Sequence, residues 1–357
     1  MPHQSPRLVI ATTASATPMG AQRYEEETAR RAAAALSSLG DTDWTFERSI
    51  ARSMRSPLPG TRRYPFDLMN RLPANVRRVV GAMAYPRAVV HRMGLSLPPA
   101  PHEVVTVHDT VAWRFPDEGT PVNAAIDELQ RADRIVCVSA HTAQDLAELT
   151  GRSDVDVVYP GVDSRFARAL ALTPASLAAL GVGGRYVLHT GGASIRKNLD
   201  ALAEAWSLVN DRIPDVTLVL CGPPHPRRTR LFAGLPRTVL PGRLPDDILP
   251  GLVAGAAAVV VPSLYEGFGL PVLEAMAAGT PVVAAKTSSL PEVAGGAAIL
   301  VEPTGSAIAS GLEHVLLGGP EVENLAEQGR SRASLFDWDS STRRLAKIWA
   351  EVGEQIW

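Results

Sequence analysis

The run from Tyr265 to Ala285, YEGFGLPVLEAMAAGTPVVAA, limits the fold more than any other stretch of this chain. It follows the β-branched run AAVVVPS, turns through glycines, enters a helical pattern and emerges in a second apolar run, VVAA. Pro271 suits the first helical position, where a missing N–H costs nothing, and Gly279 suits the position just past the helix end. Strand, glycine turn, helix and strand make an α/β unit, and the N–H groups at the start of its helix lack internal partners and can receive an anion. Glu266 and Glu274 flank that turn, and carboxylates accept hydrogen bonds from hydroxyls. Glu274 alone, placed by the pattern in the first helical turn, is explained by the helix dipole. Glu266, at a strand exit beside Gly267, has no packing role. A ligand with both phosphates and many hydroxyls fits this pair, and a nucleotide sugar is the simplest such molecule.

A chain of 357 residues exceeds what a single core supports, so two domains are expected. Short β-branched runs alternate with helical patterns throughout: LVIATT, EVVTVHD, RIVCVS and DVVY in the first half, then YVLHTGG, VTLVLCG, RTVLPG, AAVVVPS and TPVVAA. This rhythm predicts α/β architecture with two doubly wound parallel sheets and the ligand at the C-terminal ends of their strands, in an interdomain cleft. The expected division is residues 1–167 for the first domain, 168–334 for the second and 335–357 for a terminal helix, with the boundary near Arg168. Cys137 and Cys221 lie inside apolar strand-like runs, which implies small buried thiols and a reducing, cytoplasmic setting. No apolar stretch reaches the roughly 18 residues that a membrane span needs.

Formal net charge is only −2, yet from Arg48 to Arg92 there are ten arginines and a single acid, Asp67. That stretch reads either as a solvated face or as a surface for an anionic partner, such as the inner leaflet of a membrane or an acceptor carrying phosphate. Nucleic acid is a poorer fit and is not expected as a partner, because no stacking aromatics or recognition motif accompany the arginines. The chain has three lysines against thirty-two arginines, so the lysine at position 197 stands out. HTGGASIRKNLDALAEAW puts Gly191 and Gly192 after a strand, then Arg196 and Lys197, then Asn198 at the N-cap of an amphipathic helix. Breaking a sugar–phosphate bond develops negative charge on the leaving diphosphate, and fixed cations beside a helix N-terminus stabilise it. Lys197 offers a compact charge and Arg196 a planar fork for two phosphate oxygens. In the first half, VVTVHDTVAWRFPD sets His108 and Asp109 at the end of a strand, while His91 and His189 read as structural.

The two Glu with seven residues between them and Phe-Gly-Leu-Pro inside closely resemble the donor-site signature of the retaining glycosyltransferases of GT-B fold, family 4 type, also called glycosyl transferases group 1. RKN and VHD resemble that family's mannosyltransferase-like variants. The resemblance runs from about Tyr186 to Pro303, extends over Val104–Phe166 and thins out from Arg48 to Pro101. It implies a GT-B fold of two Rossmann-like domains, with the terminal helix packed back on the first and Trp338 at the usual place of a tryptophan. It also implies a hexose transferred from a nucleoside-diphosphate sugar, GDP-mannose favoured, to an acceptor hydroxyl, anionic or lipid-linked, with retention of configuration.

By the same resemblance Glu266, with backbone N–H groups from Gly267, Phe268, Gly269 and Leu270, binds the donor sugar, and Glu274 holds the ribose. Arg196 and Lys197, with Gly191 and Gly192 beside them, clamp the diphosphate. Gly20, after the first strand, approaches the phosphates, and the loop containing Gly242, Arg243 and Leu244 reads the base by backbone contacts. His108 bonds a sugar hydroxyl, and Asp109 orients it or receives the acceptor proton. No Asp-x-Asp pair follows a strand, so no metal and no other cofactor is expected. The alternatives are an epimerase of nucleotide sugars with the same architecture and a catalytically silent binding protein; the first needs acid–base carboxylates in the first domain, where Asp109 is the sole candidate.

Overall fold

The computed structural model of the protein describes residues 5–16, 19–40 and 43–356. The chain divides into two compact units, Met1–Gly161 with Asp337–Trp357, and Val162–Phe336. The division therefore falls at Gly161 and not near Arg168. The short helix Ser164–Ala167 packs on the helices Leu249–Ala254 and Leu270–Ala278 of the second unit, which carries the residues after Gly161 into that unit.

The first unit holds seven strands: β1 (Arg7–Thr13), β2 (Thr45–Ser53), β3 (Arg62–Tyr64), β4 (Val89–Arg92), β5 (Glu103–Val107), β6 (Arg134–Cys137) and β7 (Asp156–Val157). They pair in parallel in the order β3-β2-β1-β4-β5-β6-β7. β1, β4 and β5 are almost wholly buried, as expected of strands covered on both faces. The terminal helix Trp338–Gly353 lies against the helix Gly20–Ser37 and against β4 and β5. There Trp349 Nε1–H donates to His91 Nδ1 at 3.1 Å, so the other ring nitrogen carries the proton and donates to Thr106 Oγ1 at 2.7 Å.

The arginine-rich stretch folds as strand as much as surface, a correction to its reading as one basic face. β2 and β3 lie within it, and several of its cations are used internally. Arg77 and Arg92 are fully buried and share Glu128, with Arg92 also on Glu103. Arg78 pairs with Asp127 at 2.9 Å, while Arg52 and Arg62 donate to the carbonyls of Leu58 and Ala84 at 2.7 Å each. Arg55, Arg71 and Arg87 remain exposed.

In the second unit six strands, β8 (Arg185–Thr190), β9 (Val216–Cys221), β10 (Thr238–Gly242), β11 (Ala258–Val261), β12 (Val282–Ala285) and β13 (Ile299–Val301), run in parallel in the order β10-β9-β8-β11-β12-β13. The chain moves outward from β8 to β10 and then returns to β11 on the other side of β8. The connections after β8 and β11 therefore diverge, which leaves a crevice at the C-terminal ends of these two strands. Beneath it lies a core of Val187, Leu202, Trp206, Leu218, Val260 and Leu312. Among the described residues no helix is long and apolar enough to cross a membrane.

Candidate active site

Lys197 ends a single 3-10 turn after β8, and Glu266 lies in the loop after β11, so the strand order brings together two residues far apart in sequence. Both are buried, and Lys197 Nζ donates to Glu266 Oε1 at 2.6 Å. Ser263 Oγ donates to the same oxygen at 2.7 Å, and Arg196 Nη1 donates to Oε2 at 2.9 Å and to the Tyr265 carbonyl at 3.2 Å. Burial alone would raise the pKa of Glu266, but Lys197 and Arg196 outweigh it and hold the carboxyl at about 2. A carboxylate offers about four lone-pair sites. Three are engaged among the described residues, which leaves one for a further donor.

The backbone around this triad is tightly fixed. Ser288 Oγ accepts the Glu266 N–H at 2.9 Å, and the Ser289 hydroxyl shares its proton between the carbonyls of Glu266 at 2.8 Å and Phe268 at 2.7 Å. Gly269 takes φ +108°, a conformation that a side chain would strain, and caps the helix Leu270–Ala278, which ends at Gly279 with φ +74°. Because that helix begins at Leu270, Pro271 is its second residue and Glu274 lies in the second turn, not the first. The dipole explanation for Glu274 is weakened accordingly, since that effect fades beyond the first turn. Glu274 is nonetheless buried. Asn198 is the N-cap of Leu199–Arg212 but does not cap it with its side chain; in the left-handed region at φ +54°, it donates to the Pro262 and Pro303 carbonyls at 3.0 and 2.9 Å, tying the loops after β11 and β13 to the clamp.

Gly191 follows β8 with φ +149°, and a Cβ there would lie 3.8 Å from Lys197 Nζ and 3.8 Å from His189 Nε2. His189 is buried, donates from Nδ1 to the Val260 carbonyl at 3.1 Å and leaves Nε2 without a partner among the described residues. Burial, with Lys197 and Arg228 nearby, lowers its pKa to about 4, so the ring is neutral. Gly242 closes β10 and accepts the Gly222 N–H at 2.9 Å; Arg243 after it is exposed and Leu244 is partly buried.

The first unit holds the remaining residues singled out from sequence. Gly20 is the exposed first residue of its helix, and residues 17–18 of the loop before it lie outside the described residues. His108 follows β5, bonds the Met93 backbone and stacks edge-on against Tyr24 at 5.1 Å between ring centres. Burial brings its pKa down to about 4, so it too is neutral, and its buried Nε2 has no hydrogen-bond partner among the described residues. Asp109 Oδ1 accepts the Val111 N–H at 3.2 Å and so helps to start the short helix Val111–Arg114. Cys137 and Cys221 are buried, with thiols pushed up to about 12 by that burial, and are chemically quiet.

The structure thus joins Arg196, Lys197 and Glu266 in one contact network, with Gly191 beside it. Ser263, Ser288, Ser289 and His189 were not singled out from sequence as parts of that network. For the serines no local signal exists, because their roles depend on loops from different strands meeting. His189 carried one: a polar residue closing an otherwise apolar strand one position before a glycine pair.

The family model described as "Glycosyltransferase Family 4" matches residues 40–166, and that described as "Glycosyl transferases group 1" matches residues 184–317. A D-inositol 3-phosphate glycosyltransferase of Salinispora arenicola is 32% identical over 270 residues, covering 66% of this chain and 59% of that protein. O-antigen chain mannosyltransferase B of Escherichia coli is 35% identical over 168 residues, 44% of this chain and 43% of that one. The chain thus matches about three fifths or less of the length of these relatives. Among solved structures, Anabaena HepE in complex with UDP and glucose superposes with TM-score 0.75 at 19% identity, covering 96% of this chain and 99% of that chain. Sucrose-phosphate synthase of Thermosynechococcus elongatus superposes with TM-score 0.73 at 19% identity, covering 97% and 99%. With two parallel-sheet units of this topology and both family models matched in sequence, the chain belongs to the GT-B glycosyltransferases of family 4 type, the glycosyl transferases group 1.

Proposed function

We propose that the protein transfers a hexose from a nucleoside-diphosphate sugar to an acceptor hydroxyl with retention of configuration and without a metal. The observation that carries this reading is the buried Lys197–Glu266–Arg196 network at the switch point of the second sheet. Two cations held by one carboxylate leave a net positive charge where a diphosphate would leave, and that charge is fixed before the reaction, so no reorganisation is needed to stabilise the transition state. Arg196 and Lys197 would take the leaving diphosphate, while the remaining lone-pair site of Glu266 suits a single sugar hydroxyl. Glu274 would take the ribose. Neutral His108, with a buried nitrogen free to accept, suits a ligand hydroxyl. A leaving phosphate oxygen can itself take the acceptor proton, so the front-face route needs no carboxylate nucleophile.

GDP-mannose is the favoured donor, supported by the similarity to O-antigen chain mannosyltransferase B. An anionic acceptor is supported by the similarity to proteins named for D-inositol 3-phosphate, and a lipid surface by the exposed Val79 and Met83, flanked in sequence by exposed Arg71 and Arg87 in the first unit. The test is NMR of the glycoside formed from each nucleotide sugar in EDTA. An α-linked product from an α-linked donor supports the reading. An inverted anomer, or activity that vanishes on chelation and returns with Mg²⁺ or Mn²⁺, refutes it. Flotation with anionic liposomes tests the membrane component, which absence of binding at low salt would remove.

A further inference from the structure

Arg227 and Arg228 are the second and third residues of the helix Pro226–Phe232, and the reading above assigns neither a task. Arg228 is 3% exposed and pairs with no carboxylate among the described residues. Its guanidinium donates to the carbonyls of Gly191, of Gly192 at 2.9 Å and of Pro223 at 3.1 Å, while its Nε is buried without a partner among the described residues. Arg227 Nη1 donates to the carbonyls of Ala193 at 3.0 Å and Ser194 at 3.1 Å, and its other arm pairs with Asp200. Two neighbouring side chains therefore hold four consecutive carbonyls of the loop after β8.

A trans peptide points its C=O and the following N–H in opposite directions. Gripping the Gly191 and Gly192 carbonyls from one side turns the N–H groups of Gly192 and Ala193 to the other, where neither finds a partner among the described residues. Successive N–H groups turned the same way form an anion-binding concavity. Space exists for an anion, since a Cβ on Gly192 would meet nothing within 4 Å. Lys197 Nζ and the unpaired His189 Nε2 adjoin the same loop at Gly191. Gly222 leaves room for the grip, because a Cβ there would lie 2.9 and 3.0 Å from the two Nη atoms of Arg228. A buried guanidinium with no counter-charge is costly, and an arriving anion would offset that cost.

We propose that Arg228, assisted by Arg227, is a positioning residue of the diphosphate site: it fixes the Gly191–Ser194 backbone so that the Gly192 and Ala193 amides receive phosphate oxygens beside Lys197, and its uncompensated charge adds to the field there. The proposal rests on the donor-site reading above and adds to it the means by which the loop is held.

The test is calorimetric titration of wild type, Arg228→Lys, Arg228→Met and Arg227→Gln with GDP, UDP, inorganic pyrophosphate and the nucleosides guanosine and uridine. Lysine keeps the charge but loses the fork, so Arg228→Lys should weaken diphosphate binding by about tenfold or more while leaving nucleoside binding unchanged. Arg227→Gln should weaken it by roughly threefold. In wild type, pyrophosphate should shift the Gly192 and Ala193 amide resonances. Equal losses for diphosphate and nucleoside would reduce Arg228 to a structural role; unchanged diphosphate affinity, or unmoved amides in saturated wild type, would overturn the proposal outright. If Arg228→Met does not fold, Arg228→Lys, Arg227→Gln and the wild-type amide shifts decide. Wild type that binds neither a diphosphate nor pyrophosphate would remove the donor-site reading itself, whereas wild type that binds alongside an unimpaired Arg228→Lys removes only this inference.

Discussion

Lys197→Met separates a catalytic cation from a structural one. The substitution keeps the length of the stem and removes the ammonium that donates to Glu266 Oε1 at 2.6 Å. Two effects follow, and their sizes differ. Breaking one partner from a buried ion pair costs about 3–5 kcal/mol when the other charge is left uncompensated. Here Glu266 keeps Arg196 at 2.9 Å and Ser263 at 2.7 Å, so the expected loss of stability is smaller, about 1–2 kcal/mol. Removal of one charge partner from a transition state costs about 2–3 kcal/mol, or roughly 30–150-fold in turnover. The assay is release of nucleoside diphosphate from the cognate donor, read beside thermal unfolding of the same sample. Turnover within threefold of wild type, in a protein that has lost the expected stability, would show that Lys197 only neutralises Glu266 and would refute its role at the leaving group.

Two further outcomes are expected. Glu266 titrates at about 2 in the folded protein against 4.5 when unperturbed, so its contribution is present above pH 4.5 and lost as pH falls towards 2; at about 1.4 kcal/mol per tenfold change in proton affinity it amounts to at most about 3.5 kcal/mol. The stability gap between wild type and Glu266→Gln, measured by denaturant titration, should shrink between pH 5 and pH 2, and a gap that stays constant would contradict the ion network. Gly279→Ala places a side chain at φ +74° against the exposed guanidinium of Arg330, which can turn aside, so the cost is mainly backbone strain of about 1–2 kcal/mol, visible as a fall of a few degrees in the unfolding temperature of the second unit.

What could be read from the sequence was what is local. The Gly267–Gly279 segment announced its own turn, helix and cap because glycine and proline act on the residues next to them, and the apolar runs of β1, β8, β9 and β11 are strands buried on both faces. β2 and β3 escaped notice because a half-buried strand rich in arginine lacks the continuous apolar run of its neighbours. Glu274 was placed one turn early because Pro271 was read as the first helical residue, whereas Leu270 begins the helix. The partner of Lys197, the shared proton of Ser289 and the grip of Arg228 on the β8 loop all join residues brought together only by the strand order. No spacing along the chain encodes those contacts.

The most direct measurement is a calorimetric panel of GDP, UDP, dTDP and ADP, with EDTA present, against wild type and Lys197→Met. The expected result is that one nucleotide binds wild type clearly better than the rest and binds Lys197→Met at least tenfold more weakly. If none binds, or if the bound nucleotide does not distinguish the two proteins, the network of Lys197, Arg196 and Glu266 is not the donor site.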